Sequence, residues 1–304
     1  MSNGFQTIFP YQKEPIYHVG TSTGKDSVAL MLWVIHKSGL PRDRVRFTFC
    51  DTGNEDPLTY KHLEYIQENV VAKAGYQPIE TLIPHLQFFD LCFKKGRFPS
   101  RKAQFCTIEL KIEPTRAWVR EQWKLGEDVV LLNGKRIGES EERKRSMGNQ
   151  PTRYFSDYWG CEEWSPLRDW TLEQVLALHQ EFGVKLNPLY ALGAHRVGCW
   201  PCVNCGKPEI RIVAKHRPEK IDQIEREEKR HEEKLGRCST FFHGRTTTKN
   251  HHDKIYTRAD GAKFPTATIR SVVKWANTER GGKIIRPEQE EAPTVCHSKY
   301  LACE

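Results

Sequence analysis

Short apolar runs and longer amphipathic stretches alternate along the first part of the chain. The apolar runs, which are rich in β-branched and aromatic residues, predict strands near residues 16–19, 44–49, 79–83 and 128–132. The stretches between them predict helices near residues 27–37, 58–74 and 108–124. Strands that alternate with helices are typical of a parallel sheet covered by helices on both faces. The pattern therefore predicts an α/β fold with a doubly wound, mostly parallel sheet.

The second half of the chain is patterned less regularly. Residues 140–165 are polar and predict an irregular loop, a candidate lid over a binding site. Helices are predicted after this loop, at residues 171–182, 209–235 and 269–278. We therefore predict one domain at residues 1–208 and a helical, irregular and basic C-terminal extension at residues 209–304.

The most informative motif lies where the first predicted strand meets the first predicted helix. The run from Ser22 to Ser27 (STGKDS) is a small turn that leads directly into an apolar helix. Such a turn points backbone N–H groups and the positive end of a helix dipole at one spot, which suits a phosphate group. The hydroxyls of Ser22 and Ser27 can donate to phosphate oxygens, Lys25 supplies positive charge, and Asp26 could hold a magnesium ion. An ordinary strand–turn–helix with polar turn residues is the alternative.

This turn differs from the P-loop of kinases, which has four residues between its glycines and a Ser or Thr after its Lys. Here three residues separate Gly20 from Gly24, and Asp26 follows Lys25. The spacing therefore indicates a different mode of phosphate binding.

Further polar groups follow other predicted strands. Asp51 and Gly53 come after the second strand, and Gly134 and Arg136 come after the strand at residues 128–132. Ligands of doubly wound sheets bind beyond the carboxyl ends of the strands, so these groups should converge with the turn on one cleft. The predicted nucleotide-binding residues are Ser22, Thr23, Gly24, Lys25, Asp26, Ser27, Asp51, Gly53 and Gly134. The predicted catalytic residues are Lys25, Asp26 and Arg136, the last as a phosphate clamp.

Cys199, Cys202 and Cys205 form a second strong motif. Three thiols at this spacing are typical of zinc or iron–sulfur binding. The N-terminus lacks a basic start followed by an apolar segment, so no signal peptide is predicted and we expect a cytoplasmic protein. The ten cysteines of the chain then indicate metal or redox chemistry rather than disulfides.

In their order and spacing, these motifs resemble the phosphoadenosine phosphosulfate (PAPS) reductase family of the PP-loop ATP pyrophosphatase superfamily. The run from Ser22 to Ser27 resembles the PP-loop, usually Ser-Gly-Gly-x-Asp-Ser, with Thr23 in place of one glycine. The resemblance covers about residues 15–235. Its other pieces are Asp51-Thr52-Gly53, Arg101, Cys106-Thr107, Lys111, Pro114, Gly134-Lys135-Arg136, Pro166-Leu167-Arg168-Asp169-Trp170-Thr171, Asn187-Pro188-Leu189-Tyr190, Gly193 and Arg196-Val197-Gly198-Cys199. The resemblance is closer to the thiolation and DNA-phosphorothioation enzymes than to the true sulfonucleotide reductases, and it implies a PP-loop nucleotide-binding domain at residues 1–208.

The resemblance also implies a fourth cysteine ligand. Related reductases hold a [4Fe–4S] cluster with a Cys-Cys pair and a later Cys-x-x-Cys. Cys106 keeps the family spacing to Lys111 and Pro114, whereas Thr107 stands where the second Cys of the pair would be. The implied metal ligands are Cys106, Cys199, Cys202 and Cys205, with structural Zn²⁺ as the alternative to iron.

Two enzyme classes follow from the resemblance. The favoured one is an ATP pyrophosphatase that uses Mg²⁺, cleaves ATP at the α-phosphate and adenylylates a target for sulfur transfer, as in nucleic-acid thio-modification. The alternative is a PAPS or APS reductase that releases sulfite. Its nucleophilic Cys belongs to a Glu-Cys-Gly-Leu-His-like motif, which the sequence around Cys303 does not match. A non-enzymatic nucleotide-binding regulatory subunit is a third hypothesis, which the presence of Lys25 and Asp26 disfavours. Arg168 and Arg196 are further candidates, with surface ion pairs as the alternative.

The charge of the chain bears on its partners. The net charge of +8 and the pI of about 8.9 favour anionic nucleotides or a polyanionic partner, although a generally basic solvated surface explains them equally well. For a nucleic-acid partner, the predicted contact is the basic tail around Arg245, Lys249 and Lys254. A sulfur-donor protein such as a cysteine desulfurase is the other expected partner. Mean hydropathy is −0.66 and no apolar run is long enough to span a bilayer, so no membrane contact is predicted.

Overall fold

The described part of the chain is built around a six-stranded sheet with the strand order β3-β2-β1-β4-β6-β5. It comprises residues 11–242, 247, 249–258 and 260–278 of a computed structural model. The strands are β1 Ile16–Thr21, β2 Val45–Cys50, β3 Glu80–Leu82, β4 Val129–Leu132, β5 Arg153–Ser156 and β6 Cys161–Trp164. All neighbours pair in parallel except β5, which is antiparallel to β6 at one edge. The prediction of a doubly wound, mostly parallel α/β fold is therefore confirmed.

Helices flank the sheet and form the C-terminal part of the described chain. They are α1 Lys25–His36, α2 Pro57–Ile66, α3 Phe88–Lys95, α4 Phe105–Thr107, α5 Glu113–Lys124, α6 Glu141–Met147, α7 Leu172–Glu181, α8 Lys207–His216, α9 Pro218–Leu235 and α10 Ile269–Ala276. A π-helical turn, Gln67–Ala72, continues α2, and another, Ile108–Ile112, joins α4 to α5. Short 3₁₀ turns lie at Arg42–Arg44, Ile137–Glu139, Pro188–Leu192 and Lys249–His251. No helix among the described residues is long and apolar enough to cross a membrane.

Both faces of the sheet are buried, which explains the apolar runs of the sequence. On β1, Tyr17 and Val19 pack in a hydrophobic cluster with residues of α1 and α7. Ile16 packs on the opposite face, in a cluster with Trp118 of α5. Because successive side chains of a strand point to opposite faces, a strand covered on both sides needs apolar residues at nearly every position. All four residues of β4 are accordingly buried.

The prediction of an irregular loop at residues 140–165 is wrong. This segment forms α6, β5 and β6, and β6 pairs with β4 in the sheet. The strands carry charged residues at buried positions: Glu162 and Glu163 are 0% and 5% exposed. Arg153 donates to Glu162 at 2.7 Å, and Lys135 donates to Glu163 at 2.5 Å. Paired charges therefore replace apolar side chains here, which a hydropathy pattern cannot show.

The charged stretch predicted as one helix at residues 209–235 forms two. Pro218 has no N–H to continue a helix, and it disfavours the helical conformation at Arg217, which adopts φ −140° and ψ 60°. α8 therefore ends before Arg217 and α9 starts at Pro218. α9 ends at Gly236, which adopts a φ of +61°, so the predicted end of the stretch is confirmed.

A separate hydrophobic cluster packs residues 88–110 against the second half of the chain. It contains side chains from α3, α8, α9 and α10 and from the Phe241–Phe242 segment. Its members lie on both sides of the predicted boundary between residues 208 and 209. The strands β7 Lys254–Thr257 and β8 Lys263–Thr266 form an antiparallel hairpin beyond it.

Candidate functional site

The turn after β1 is held by hydrogen bonds from backbone N–H groups to side-chain hydroxyls. Ser22 N–H donates to Ser27 Oγ at 3.2 Å. Thr23 N–H donates to Thr21 Oγ1 at 3.1 Å, and Gly24 N–H donates to Ser22 Oγ at 3.3 Å. α1 begins directly after Gly24. The turn therefore leads directly into the N-terminus of α1, where the positive end of the helix dipole suits a phosphate group.

Thr23, which stands where the PP-loop usually has a glycine, adopts a backbone conformation that favours glycine. Its φ is +61°, and it is the only non-glycine residue with a positive φ in the described part of the chain. Such a conformation costs a β-branched residue about 1–3 kcal/mol. Asn187 Nδ2 donates to Thr23 Oγ1 at 2.9 Å and holds the side chain in place.

Asp26 is the centre of a buried group of charges. It is 0% exposed, and its carboxylate forms ion pairs with Lys25, 2.9 Å from Nζ to Oδ2, and with the Arg136 guanidinium. Gly134 lies so close that a Cβ there would be 3.0 Å from the Asp26 carbonyl oxygen. The structure thus brings together Lys25, Asp26, Gly134 and Arg136. Because both Asp26 oxygens face cations, the carboxylate orients Lys25 and Arg136.

Asp51 and Gly53 lie at the end of β2, on the same edge of the sheet as the turn after β1. Asp51 Oδ1 accepts hydrogen bonds from Gly53 N–H at 2.9 Å and from the Tyr60 hydroxyl at 2.7 Å. Gly53 has a φ of +72°, and a Cβ there would meet Gln87 at 2.6 Å. These contacts shape the turn after β2.

Two further side chains hold the turn after β1 from the second half of the chain. The Tyr190 hydroxyl accepts a hydrogen bond from Lys25 N–H at 3.1 Å. His179 Nε2 lies 2.8 Å from the Lys25 carbonyl oxygen. Together with Asn187, they hold the turn after β1 in place, and none of the three is among the predicted site residues. The stretch from Asn187 to Tyr190 belongs to the family pattern, but the sequence assigns no role to it.

Three of the four predicted ligand cysteines line one cavity of about 50 Å³. They are Cys106, Cys199 and Cys202, and the cavity wall also includes Thr52, Gln104, Thr107, Leu110, Lys111, Arg196, Val197, Gly198, Val203 and Asn204. Thr52 Oγ1 lies 3.2 Å from Cys199 Sγ. Cys205 is buried next to this cavity, and its N–H donates to the Cys202 carbonyl at 3.0 Å.

Burial raises the pKa of three of these thiols, those of Cys106, Cys199 and Cys205. It raises the pKa of Cys106 to about 11 and that of Cys199 to about 12, and it raises the pKa of Cys205 well above its ordinary value. Desolvation lowers the pKa of Lys111, but the acidic groups around it, of which Cys199 and Glu55 have the largest effects, together raise it above its ordinary value. The Lys111 ammonium is therefore positioned to stabilise negative charge in the cavity.

Four cysteine thiols can serve as ligands of either an iron–sulfur cluster or a zinc ion. Among the residues that the structure describes, no group of three or more Cys, His, Asp or Glu side chains is placed to hold a metal ion. The all-sulfur donor set does not distinguish the two, because Cys₄ sites hold zinc as well as iron–sulfur clusters.

The segment after β2 connects the edge of the sheet that carries the turn after β1 to the cysteine cavity. Trp200 N–H donates to the Asn54 carbonyl at 2.9 Å, and Asn54 Nδ2 donates to the Pro201 carbonyl at 3.2 Å. Glu55 and Cys199 pair as an isolated antiparallel bridge. The turn that begins at Asp51 therefore continues into the wall of the cavity.

The two further arginine candidates, Arg168 and Arg196, have different surroundings. Arg196 lines the cysteine cavity. Arg168 pairs with Asp169 at 3.3 Å and donates to the Met147 carbonyl at 3.0 Å, so its contacts hold the end of α6.

The predicted basic tail is only partly described. Lys254 forms an ion pair with Glu232 at 3.0 Å, and Lys249 lies in a 3₁₀ turn. Arg245 and Cys303 lie outside the described residues.

The chain is similar in sequence to several known proteins. The family model described as the phosphoadenosine phosphosulfate reductase domain matches residues 16–205. An uncharacterized 37.8 kDa protein of Escherichia phage 186 is 29% identical over 97% of this chain and 98% of its own length. Adenosine 5′-phosphosulfate reductase of Deinococcus radiodurans is also 29% identical, over 54% of this chain and 59% of its own length. The crystal structure of PAPS reductase from Candida auris, 22% identical, covers 62% of this chain and 83% of its own, with a TM-score of 0.45.

Proposed function

The chain belongs to the phosphoadenosine phosphosulfate reductase family, and we propose that within this family it acts as an ATP pyrophosphatase in sulfur transfer. ATP is cleaved between its α- and β-phosphates. An oxygen of the target takes up the AMP group, and pyrophosphate leaves. A sulfur nucleophile from a donor protein, such as a cysteine desulfurase, then displaces AMP. The proposed target is a nucleic acid.

The observation that carries this proposal is the group formed by Lys25, Asp26 and Arg136 at the start of α1. Two cations meet one buried carboxylate beside the N–H groups of the turn. A polyphosphate at this place would be bound by Lys25 and Arg136, which would neutralise the charge that develops on the leaving pyrophosphate.

Magnesium, when bound, would supply further positive charge to the phosphates. Asp26 is the proposed ligand. Both of its oxygens face cations, so it can hold the ion only after Lys25 or Arg136 has turned to a phosphate. A bound polyphosphate favours that exchange, because its oxygens offer both cations new partners.

The cysteine cavity is the proposed site of a [4Fe–4S] cluster held by Cys106, Cys199, Cys202 and Cys205. Such a cluster would bind sulfur or transfer electrons close to the proposed nucleotide site at the start of α1. Lys111 would balance part of its negative charge. Anaerobically purified protein should be brown, with broad absorption near roughly 400 nm. Colourless protein with stoichiometric zinc, prepared from iron-replete cells, would contradict this assignment.

The deciding experiment incubates the pure, anaerobically prepared protein separately with ATP and with PAPS and identifies the products. ATP should give AMP and pyrophosphate, with a nucleic-acid acceptor present. Lys25→Ala and Asp26→Ala should each abolish this turnover while the fold persists by circular dichroism. Lys37→Ala is the matched control, since Lys37 lies just after α1 and pairs with exposed Glu181. Release of ADP and orthophosphate would refute the proposal.

A second function, sulfonucleotide reduction, is favoured by the relatives named adenosine 5′-phosphosulfate reductase. In that case PAPS and a thiol reductant would release sulfite. Cys303 is the candidate nucleophile, and Cys303→Ser would abolish the reaction. If the wild type forms sulfite and Cys303→Ser does not, sulfonucleotide reduction replaces the ATP pyrophosphatase proposal.

A further inference from the structure

A ridge of positive charge lies against the helical stretch Phe105–Ile112, part of which lines the cysteine cavity. We call it the cationic ridge, and it consists of five exposed residues, Lys94, Arg97, Arg101, Lys102 and Lys234. Two contacts place it: Lys95, beside Lys94, pairs with Glu109 at 2.7 Å, and the Arg97 guanidinium lies 5.6 Å from the Phe105 ring. Phe105 directly precedes Cys106, so the ridge borders the approach to the cavity.

The ridge is held firmly by α3 and α9. Lys234 Nζ donates to the Phe93 carbonyl at 2.6 Å, and Lys234 and Arg230 lie 3.9 Å and 3.8 Å from the Phe93 ring. Phe98, which is buried, stacks on His231 of α9 with the ring centroids 4.5 Å apart. The cations therefore project from a packed surface.

Arg101 and Lys102 form the tip of a tight turn. Ser100 and Ala103 exchange two backbone hydrogen bonds, of 3.2 Å and 3.0 Å, which leaves the two cations between them. Gln104 follows at once and lines the cavity. The tip of the turn thus stands beside the cysteine cavity.

The charge of the ridge is not neutralised within the described chain. No Asp or Glu occurs in the sequence between Asp90 and Glu109. Asp90 faces Arg230 and Glu109 pairs with Lys95, so neither serves a ridge residue. Clustered like charges repel one another and reduce stability, so an uncompensated cluster of this kind favours a role in binding an anion.

We propose that the cationic ridge binds the phosphate backbone of a nucleic acid and so presents a nucleotide to the cysteine cavity. This inference rests on the proposed function and names its acceptor surface. Successive phosphates suit a row of separate cations better than one small anion does. Phe105, half-buried beside Arg97, adds a ring on which a base can stack. The ridge belongs to the described fold, and its residues are separate in sequence from the predicted basic tail around Arg245, Lys249 and Lys254.

The test measures binding of a fluorescently labelled single-stranded oligonucleotide to the full chain by anisotropy, across a series of salt concentrations. For the wild type, log affinity should fall linearly with log salt. The double variant Arg101→Gln/Lys102→Gln should bind more weakly at every salt concentration and should flatten this slope by roughly 1.4, or 0.7 per lost phosphate contact.

The matched control is Lys61→Gln/Lys73→Gln, which removes the same charge from exposed positions on α2 and just after its π-helical continuation. It should retain the wild-type slope. An equal loss of affinity in both double variants would mean that net charge alone binds the oligonucleotide. This result would overturn the proposed role of the ridge. Unchanged binding in the ridge variant, or binding of an acidic protein with no oligonucleotide binding, would overturn it as well. The products formed from ATP are a separate readout. ADP instead of AMP would refute the proposed function, and the salt slopes would still show whether the ridge binds the oligonucleotide.

Discussion

Glu228 ties the C-terminal part of the described chain to α9, and this contact should make stability depend on pH. The carboxylate is 5% exposed. It accepts hydrogen bonds from Phe241 N–H at 2.8 Å and from Ile269 N–H, at the start of α10, at 3.0 Å. Burial raises the pKa of Glu228 from 4.5 to about 7, against the opposing effect of the two hydrogen bonds.

The sign follows from proton linkage. A carboxyl group whose pKa is higher in the folded state binds its proton more tightly when folded. Its contribution to stability is complete below pH 4.5 and is lost as the pH rises to about 7. At about 1.36 kcal/mol for each pH unit between the two pKa values, the loss amounts to about 3 kcal/mol.

Glu228→Gln removes this dependence, because an amide does not ionise. The NH₂ group of the amide cannot accept a hydrogen bond, whereas both oxygens of a carboxyl group can, so one buried N–H loses its partner, at a cost of about 1–3 kcal/mol. The wild type should therefore be more stable than the variant at pH 5, and the difference should vanish or reverse at pH 8.

Urea unfolding followed by circular dichroism from pH 5 to pH 8 measures the difference between the two proteins. Other groups contribute to the pH dependence of each, but they cancel in the comparison. Glu232→Gln, on the same helix and paired with Lys254 at the surface, serves as the control and should follow the wild type. Parallel curves for Glu228→Gln and the wild type would refute the reasoning.

Three further variants test other parts of the structure. Gly134→Ala places a Cβ 3.0 Å from the Asp26 carbonyl and 3.3 Å from Ser27 N, and the strain of about 1–3 kcal/mol should weaken ATP binding at least several-fold by calorimetry; unchanged affinity would contradict this close approach. Arg217→Ala removes the partner of Asp56, which is 0% exposed and bound at 2.7 Å and 3.0 Å, and should destabilise the fold by about 3–5 kcal/mol in chemical denaturation, with only partial recovery in Arg217→Lys. A loss within 1 kcal/mol would show that the pair is not needed. Thr23→Ala should be less stable than Thr23→Gly by about 1 kcal/mol, because both lose the bond to Asn187 but only glycine relieves the φ of +61°; the reverse order would argue against strain at this turn.

The parallel core was predictable because its residues obey simple patterns. β1, β2 and β4 are buried on both faces and read as apolar runs, and the glycine at position 24 leads into α1. Proximity of Gly134 and Arg136 to the turn after β1 followed from the rule that strand ends share an edge.

Other features depend on contacts that sequence patterns do not encode. β6 was missed because Glu162 and Glu163 are buried in pairs with distant cations. The break between α8 and α9 could have been predicted from Pro218, but the charged pattern ran through it. Tyr190 and His179 reach Lys25 from more than 150 positions away, so only the fold places them at the site.

The short connection from Asp51 to Asp56 makes two sets of backbone contacts, and both depend on its length. Its first residues form the turn at the end of β2, while Asn54 and Glu55 are registered against Trp200 and Cys199. An insertion or deletion of one residue in this connection would keep one of these registrations only by breaking the other. Two independent sets of contacts therefore fix its length, whereas a change in the length of the loop that joins β7 to β8 would affect neither of them.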